Sequence, residues 1–350
     1  MATSNTDTKV MRIALDAMGG DFAPVNEIHG AIKAFEDFFA DSNIEVIFVG
    51  DEKKINAALH QFDYSKLKYS IVHADEVITM HDDPTAAVRK KNSSLYKGLE
   101  LQSQGYADAF VSAGNTGAVL STSTILLGRI KGVSRPTIGS FFPSQKSTPC
   151  FVLDVGANID CKAKFLYEFA VMGSIQIKNM FGVDNPRVGL LNIGEEESKG
   201  SEVLQETYKL LKQSKLNFIG NVEGRDILKG TADVVVCDGY TGNVVLKFAE
   251  SFLGFFKSAV VSFSKKNIFN LAVAGIMKPF LKKIFMQFDY QEYGGVPLLG
   301  VNGVVIIGHG KSSPKAIEHM LKRAVEMVDN EINMKISKAI NTDFFIDSER

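Results

Sequence analysis

Short apolar segments rich in Val, Ile, Leu and Phe recur along the chain, and a turn that contains glycine follows each of them. Apolar runs without polar alternation are typical of strands that are buried on both faces of a parallel sheet. Segments suited to helices separate these strands, and this order of strand, turn and helix predicts a doubly wound α/β fold. Seven strand-and-turn units occur, at residues 11–24, 46–51, 109–117, 151–158, 187–200, 233–243 and 304–313.

The glycine turns follow the carboxyl ends of the predicted strands, which is where doubly wound sheets bind their ligands. Taken singly, each turn is explained just as well as a tight connection that needs glycine. Several of the seven turns also carry Asp, Asn, Thr or Lys. Because these polar turns all occur at the same end of the strands, they favour one shared ligand site.

Length and composition limit the classes of protein to which the chain can belong. Its 350 residues are 45% hydrophobic and 23% charged with a net charge of −1, which excludes a disordered chain and a largely basic surface for nucleic acid. We predict one α/β catalytic domain at 11–330, after a polar extension at 1–10 and before a tail at 331–350. Three scattered cysteines, the absence of a signal peptide and the absence of an apolar run of about 18 residues predict a cytoplasmic protein that does not cross a membrane.

The composition changes at about 248–290, where we predict a helical hairpin inserted in the α/β domain. Between residues 248 and 288 the chain holds nine of its 25 phenylalanines and six lysines against one acid, a net charge of +5. The spacing of an amphipathic helix is met by Phe248, Phe252, Phe255 and Phe256. Such a face fits the protein core or a dimer interface, while the lysines also fit contact with an anionic membrane surface.

The sequence lacks the motifs of several common enzyme classes. It contains no G-x-x-x-x-G-K-[ST] loop, no G-x-G-x-x-G after the first strand, no C-x-x-C or H-E-x-x-H zinc pattern and no G-x-S-x-G nucleophile elbow. We therefore expect no metal ion and no organic cofactor. Among the six histidines, His309 lies between two glycines at a predicted strand end, where a structural hydrogen bond and a catalytic role are equally consistent with the sequence.

Two of the glycine turns combine backbone amides with polar side chains at the start of a predicted helix. Glycine lets backbone amides approach a ligand closely, and a helix N-terminus favours an anion. Both Gly114–Gly117 and Thr241–Asn243 add a hydroxyl and a carboxamide to such amides. Lys199, in a turn with three glutamates, is either a solvated loop lysine or a ligand for a phosphate or an oxyanion. Together these residues predict an anion-binding site.

Five longer segments carry a resemblance to a known family. They are D-A-M-G-G-D-F-A-P (16–24), H-D-D-P-T-A-A-V-R-K-K-N-S-S-L (81–95), S-A-G-N-T-G-A (112–118), L-D-V-G-A-N (153–158) and D-G-Y-T-G-N-V-V-L-K (238–247). Together they resemble the bacterial phosphate acyltransferases of the PlsX family. The resemblance extends over roughly Arg12–Val328, and its specificity comes from the combination because each segment alone is a weak signal.

The resemblance implies transfer of a fatty acyl group from acyl-[acyl carrier protein] to inorganic phosphate. The acyl phosphate would then supply a glycerol-3-phosphate acyltransferase in phospholipid synthesis. The resemblance also implies a Rossmann-like α/β/α sandwich related to phosphotransacetylases and isopropylmalate dehydrogenases, a homodimer, and peripheral association with the membrane.

The residues of the turns suit this chemistry. Phosphate is an anionic nucleophile near neutral pH, so the protein has to hold it beside the thioester and stabilise the oxyanion that forms on the carbonyl. We predict Lys199 and Asn243 as the catalytic donors to that oxyanion. Asp16, Asp154 and Asp238 would orient the turns, although buried carboxylates also support turns without a role in catalysis. The predicted substrate-binding residues are Asp16, Gly19, Gly20, Asp21, Gly114, Asn115, Thr116, Gly117, Asp154, Gly156, Asn158, Glu196, Asp238, Gly239, Thr241, Gly242 and His309.

An acidic carrier protein needs a basic docking surface. Arg89–Lys91 and the lysines of the hairpin are two candidates, although Arg89–Lys91 also fits an ordinary solvated face. The sequence leaves two other functions open, a nicotinamide-dependent hydroxy-acid dehydrogenase of the related fold and a non-catalytic, lipid-responsive scaffold. The first needs a metal-binding carboxylate cluster and an adenine pocket that the sequence does not reveal, and the second gives the polar glycine turns no role.

Overall fold

The computed structural model describes residues 9–40, 42–286 and 294–342, and the chain folds into two compact units. Among the described residues, the first unit comprises 9–136 and 294–341, and the second comprises 137–286 with residue 342. Each unit contains its own strands and its own buried apolar side chains.

The first unit alternates strands and helices in the order that the sequence predicts. Its strands are β1 (Met11–Asp16), β2 (Ile44–Gly50), β3 (Tyr69–His73), β4 (Ala109–Ser112), β10 (Val296–Leu299) and β11 (Val304–Ile307). Its helices are α1 (Val25–Asp37), α2 (Glu52–Leu59), α3 (Ala86–Arg89), α4 (Ser94–Ser103), α5 (Thr116–Leu126), α11 (Pro314–Asp329) and α12 (Ile332–Thr342).

The strands of the first unit lie in the order β3-β2-β1-β4-β11-β10. The first five of these are mutually parallel, and β10 is antiparallel to β11. Fully buried side chains from neighbouring strands, such as Leu15, Phe48 and Phe110, form the core. The parallel arrangement places the carboxyl ends of β1, β4 and β11 side by side at one edge of the sheet.

The second unit repeats the same architecture. Its strands are β5 (Thr137–Phe142), β6 (Cys150–Leu153), β7 (Arg187–Leu191), β8 (Asn217–Val222) and β9 (Val234–Val236). Its helices are α6 (Ala163–Phe181), α7 (Glu202–Gln213), α8 (Gly224–Lys229), α9 (Gly239–Ser264) and α10 (Ile268–Met286). The strand order is β5-β6-β9-β7-β8, with β5 antiparallel to β6 and the other four parallel.

The predicted fold class is confirmed, and each of the seven predicted strand-and-turn units contains a strand. The predicted domain boundaries stay a prediction, but part of the predicted tail is a packed helix. In α12 the side chains of Ile332, Ile336 and Ile340 are buried, one every four residues along one face. Residues 1–8 of the predicted extension and 343–350 of the predicted tail lie outside the described residues.

The predicted hairpin consists of α9 and α10 with a turn at 265–267 between them. Its first helix begins at Gly239, so the turn that carries Asn243 is continuous with the Phe-rich stretch instead of preceding it. The described phenylalanines of α9 and α10 are largely exposed, which excludes the core as their place in the single chain. Residues 287–290 of the predicted hairpin lie outside the described residues. No helix among the described residues is long and apolar enough to span a bilayer.

Candidate functional site

Three of the predicted glycine turns meet at the carboxyl edge of the first unit's sheet. They follow the neighbouring strands β1, β4 and β11. The Asp21 amide donates to the Gly310 carbonyl at 2.7 Å, which joins the first turn to the third. A Cβ built on Gly19 would lie 2.9 Å from the Gly114 amide nitrogen, so the first and second turns touch through their backbones. Of the predicted residues in this unit, Asp16, Gly19, Asp21, Gly114 and the loop around His309 are therefore brought together.

Asp16, the last residue of β1, organises two of these turns. It is buried, and it accepts hydrogen bonds from the Met18 amide (3.1 Å) and from the Ser112 hydroxyl (2.7 Å). The Ser112 hydroxyl in turn accepts from the Gly114 amide at 3.0 Å. Burial raises the pKa of Asp16, and these hydrogen bonds act in the opposite direction. Asp16 thus holds the two turns together with Ser112, a residue that was not selected from the sequence, and its role in catalysis stays a prediction.

Asn115 is the N-cap of α5, and its side chain is committed to the protein. Its Oδ1 accepts from the Ala118 amide at 3.0 Å, and its Nδ2 donates to the carbonyls of Thr79 (3.2 Å) and Asp82 (2.9 Å). The carboxamide thus fixes the segment at 79–82 against the start of α5. At this turn the groups that remain for an anion are the backbone amides of Thr116 and Gly117 and the exposed Thr116 hydroxyl.

The remaining two predicted polar residues of this unit lie on its surface. Asp21 and His309 are both exposed. Nδ1 of the His309 ring accepts a hydrogen bond from the Lys311 amide at 3.2 Å. The backbone carbonyl of His309 accepts one from the Ser312 hydroxyl. His309 therefore stabilises the turn after β11, in agreement with the structural alternative for this residue.

The second unit gathers a larger set of predicted residues, beginning with Asp154 after β6. Its buried carboxylate accepts from the amides of Gly156 (3.0 Å), Ala157 (2.9 Å) and Asn158 (2.8 Å), and from Asn158 Nδ2 (2.6 Å). Burial raises the pKa of Asp154, and these four hydrogen bonds oppose that shift. One carboxylate thus fixes the whole turn at 154–158, as predicted for an orienting group.

The Asp154 turn packs against the N-terminus of α9, which follows the neighbouring strand β9. Asp238 caps this helix by accepting from the Thr241 amide and the Thr241 hydroxyl, both at 2.8 Å. The Gly239 amide donates to the Asn158 carbonyl at 2.7 Å. A Cβ built on Gly242 would lie 1.9 Å from the Asp154 carbonyl oxygen, so only glycine fits this contact.

The same packing brings Asn243 to the Asp154 turn. A Cβ built on Gly156 would lie 3.7 Å from Asn243 Oδ1, and both residues are exposed. An exposed carboxamide on the first turn of a long helix thus lies beside an exposed glycine of the neighbouring turn. This juxtaposition combines a side-chain donor with the partial positive charge of the helix N-terminus.

Lys199 lies in the loop after β7, the strand next to β9. Its ammonium is partly exposed and lies 3.9 Å from Glu196 Oε1, which makes a weak ion pair. Two asparagines hold the loop by its backbone: Asn192 Nδ2 donates to the Lys199 carbonyl at 3.1 Å, and Asn221 Nδ2 donates to the Glu196 carbonyl at 2.8 Å. Neither asparagine was selected from the sequence. The loop backbone is thus fixed while the lysine side chain stays available to a ligand.

Two cysteines flank the Asp154 turn, and neither has the properties of a nucleophile. Burial and the charges of Asp154 and Asp238 raise the pKa of the Cys161 thiol to about 12. The same causes raise the pKa of Cys237 well above its usual value. Because the thiolate is the reactive form, both side chains are unreactive near neutral pH. In the part of the chain that the structure describes, no group of three or more His, Cys, Asp or Glu side chains is arranged to hold a metal ion.

Comparisons with known proteins identify the family of the chain. A family model described as "Fatty acid synthesis protein" matches residues 11–335. A phosphate acyltransferase from Dictyoglomus turgidum is 47% identical over 333 residues, covering 95% of this chain and 98% of the relative. One from Halothermothrix orenii is 46% identical over 336 residues, covering 95% and 99%.

Solved structures support the fold. The EutD phosphotransacetylase from Staphylococcus aureus is similar with a TM-score of 0.58 at 20% identity, covering 91% of this chain and 94% of that one. A phosphotransacetylase from Streptococcus pyogenes is similar with a TM-score of 0.61 at 18% identity, covering 92% and 95%. At these identities the likeness establishes a Rossmann-like α/β fold, and the function comes from the closer relatives. The chain belongs to the fatty acid synthesis protein family of phosphate acyltransferases, the PlsX family of the sequence resemblance, and is an enzyme that transfers acyl groups to phosphate.

Proposed function

We propose that the enzyme transfers a fatty acyl group from acyl-[acyl carrier protein] to inorganic phosphate, and that the acyl phosphate enters phospholipid synthesis through a glycerol-3-phosphate acyltransferase. The observation that carries the proposal is the packing of the Asp154 turn on the N-terminus of α9, which presents Asn243 together with backbone amides. Membership of the family favours this function over the dehydrogenase and the scaffold.

In the proposed reaction a phosphate oxygen attacks the thioester carbonyl carbon directly. The tetrahedral oxyanion collapses, the C–S bond breaks, and the carrier leaves as a thiolate that takes a proton from solvent. Lys199 and Asn243 donate to the oxyanion, and one such donor is worth roughly 2.7–4 kcal/mol of transition-state stabilisation. The absence of a reactive thiol at Cys161 supports direct attack over a covalent acyl-enzyme.

Acyl phosphate can be detected by trapping with hydroxylamine. The protein is incubated with acyl-[acyl carrier protein] and phosphate, and the acyl hydroxamate and free carrier are measured. Beyond the slow cleavage of the thioester by hydroxylamine that an enzyme-free sample measures, we expect both products to form in equal amounts and only when phosphate is present. Formation of free fatty acid instead of acyl hydroxamate would contradict the proposal.

We assign carrier docking to basic surface residues. Arg89 and Lys91 are exposed, whereas Lys90 is partly neutralised by Asp82 at 3.2 Å. Lys265 and Lys266, between α9 and α10, are also exposed. The acidic carrier would be attracted to either group by charge, as complementary patches steer encounter between proteins.

Because charge steering is screened by salt, raising the ionic strength from about 50 to 500 mM should raise the KM for the acyl carrier substrate at least about tenfold. The KM for phosphate should change much less, since we expect backbone amides of the glycine turns to bind it at short range. Glutamate substitutions at Arg89 and Lys91 or at Lys265 and Lys266 then tell the two surfaces apart. An equal salt dependence of the two KM values would argue against a basic docking surface.

We further propose that α9 and α10 bring the enzyme to an anionic membrane surface. Phe255 is 71% exposed and Phe269 is 73% exposed, and Lys265 and Lys266 lie between them in the chain. Exposed aromatic side chains beside lysines are typical of helices that bind the interface of anionic bilayers. The alternative from the sequence is that this surface forms the interface of a homodimer.

Replacing Phe255 and Phe269 by Glu should weaken binding to vesicles with anionic lipids by at least about tenfold, because each change removes interfacial apolar area and adds like charge. Flotation with vesicles measures the binding, and sedimentation in parallel measures the oligomeric state. Tyr106→Glu, a change at another exposed aromatic residue in the first unit, is the matched control. Loss of a dimer with no change in flotation would assign the surface to the dimer.

A further inference from the structure

Two carboxylates lie buried beneath the Gly19–Gly20 turn of the first unit. Asp16 ends β1, Glu27 lies in the first turn of α1, and each residue is only 1% exposed. A Cβ built on Gly19 would lie 2.6 Å from Asp16 Oδ2, and a Cβ built on Gly20 would lie 2.3 Å from Glu27 Oε1. Each glycine of the turn therefore rests directly on one carboxylate oxygen.

No cationic side chain in the described part of the chain pairs with either carboxylate. Among residues 9–40, 42–286 and 294–342, neither Asp16 nor Glu27 forms an ion pair, and Glu27 Oε2 accepts no hydrogen bond. Asp16 accepts hydrogen bonds from the Met18 amide and the Ser112 hydroxyl. The negative charge is therefore more stable on Asp16 than on Glu27. A buried carboxylate with one oxygen that lacks a partner is more stable when it is protonated.

The electrostatics point in the same direction. Burial raises the pKa of Glu27 to about 8, and the negative charge of Asp16 adds to the shift. Hydrogen bonding from the Glu27 and Gly20 amides opposes the shift but is smaller in total. Two buried carboxylates near each other cannot both ionise at low cost, so the one with fewer hydrogen bonds, Glu27, keeps its proton.

We propose that Glu27 keeps its proton in the active enzyme, and that loss of this proton weakens the binding of phosphate at the Gly19–Gly20 turn. The inference rests on the proposed function and on the prediction from the sequence that Gly19 and Gly20 bind the substrate. A second negative charge directly beneath the turn opposes the partial positive charge of its amides and repels a phosphate dianion. Glu27 is thus a positioning residue that does not itself touch the substrate.

Other charged groups lie on the segments that surround Glu27. They are Asp16 at the end of β1, Asp21 in the turn, His309, Lys311 and Lys315 in and after the connection from β11 to α11, and Glu318 on α11. All of these groups are retained when Glu27 alone is changed. A difference in pH dependence between the variants therefore reports on the Glu27 proton. Glu27→Gln keeps the shape of the protonated side chain and cannot ionise. Glu36→Gln, at an exposed glutamate of the same helix, is the matched control.

The test compares the three proteins by the KM for phosphate at pH 7 and pH 9, with acyl hydroxamate as the readout. The titration of phosphate itself affects all three proteins equally and cancels from the comparison. With a pKa of about 8, Glu27 is roughly nine-tenths ionised at pH 9. The KM for phosphate at pH 9 divided by the KM at pH 7 should therefore be about tenfold larger for the unchanged protein than for Glu27→Gln. Glu36→Gln should behave like the unchanged protein.

A second readout does not depend on activity. The folded protein keeps the Glu27 proton up to about pH 8, whereas the unfolded chain loses it near the ordinary value of 4.5. Stability contributed by that proton is therefore present at low pH and is lost as the pH rises toward 8. The Tm of Glu27→Gln should rise relative to the unchanged protein between pH 5 and pH 8 and then level off.

The outcomes separate the inference from the function on which it rests. Equal KM ratios in all three proteins would overturn the effect of the Glu27 proton on phosphate binding while acyl phosphate still forms. A Tm difference that is constant with pH would overturn the retained proton itself. Failure of every protein to form acyl phosphate at any pH would overturn the proposed function and, with it, the effect on phosphate. A reduced KM ratio in Glu27→Gln together with the pH-dependent Tm difference supports the inference.

Discussion

Lys199→Ala should lower kcat for acyl phosphate formation by about 100- to 1000-fold, the loss expected when one donor to an oxyanion is removed. The loop should keep its conformation, because Asn192 and Asn221 hold its backbone and the lysine side chain does not. The ion pair with Glu196 is weak and exposed, so the free energy of unfolding should change by less than about 0.5 kcal/mol.

Hydroxamate assays and thermal melts of the same preparation measure both quantities. Lys209→Ala, at an exposed lysine of the following helix α7, is the matched control and should retain full activity. If Asn243 donates to the same oxyanion, the double variant with Asn243→Ala should lose less than the product of the single losses, since both act on one group. A Lys199→Ala protein with most of its activity would remove Lys199 from the catalytic residues.

The second large effect is expected from Gly242→Ala. The added Cβ would lie 1.9 Å from the Asp154 carbonyl oxygen and 2.9 Å from its carbonyl carbon, and both are backbone atoms that cannot turn aside. The N-terminus of α9 must then move away from the Asp154 turn and take Asn243 with it. Overpacking of this kind costs about 1–3 kcal/mol, and a displacement near 1 Å at a catalytic group costs about 100-fold in rate.

The same helix offers the matched control for this substitution. Gly254 also lies in α9, and a Cβ built there meets nothing within 4 Å. Gly254→Ala should therefore leave the rate unchanged and stabilise the helix by about 0.5–1 kcal/mol, because alanine loses less entropy in a helix than glycine. Similar effects from the two substitutions, in denaturant unfolding and in hydroxamate assays, would show that the contact at Gly242 is unimportant.

The strands that the sequence predicts are those with uninterrupted apolar runs. The four that it misses lack such runs for identifiable reasons. The β3 strand is only half-buried, β5 is buried but contains threonine, glycine and serine, β8 includes two asparagines and a glycine, and β10 contains a proline. Hydrophobic periodicity does not detect strands of this composition, since neighbouring strands supply the burial that the local sequence does not show.

At the site, the glycine motifs locate the turns but not the side chains that hold them. Ser112, Asn192 and Asn221 are single polar residues within or beside strands, and their partners lie 2, 7 and 25 residues away in the chain. Glu27 gave no signal because an acid in the first turn of a helix is ordinary. Asn115 shows the opposite case, in which a residue chosen as a donor to phosphate holds the protein backbone instead.

The most direct test of direct phosphate attack is rapid mixing of the enzyme with acyl-[acyl carrier protein] in the absence of phosphate. If phosphate attacks the thioester directly, no burst of carrier thiol forms under these conditions. Addition of phosphate should start the release of thiol, with one acyl hydroxamate trapped for each thiol. A burst of thiol equal to the enzyme concentration without phosphate would reveal a covalent acyl-enzyme and rule out direct attack by phosphate.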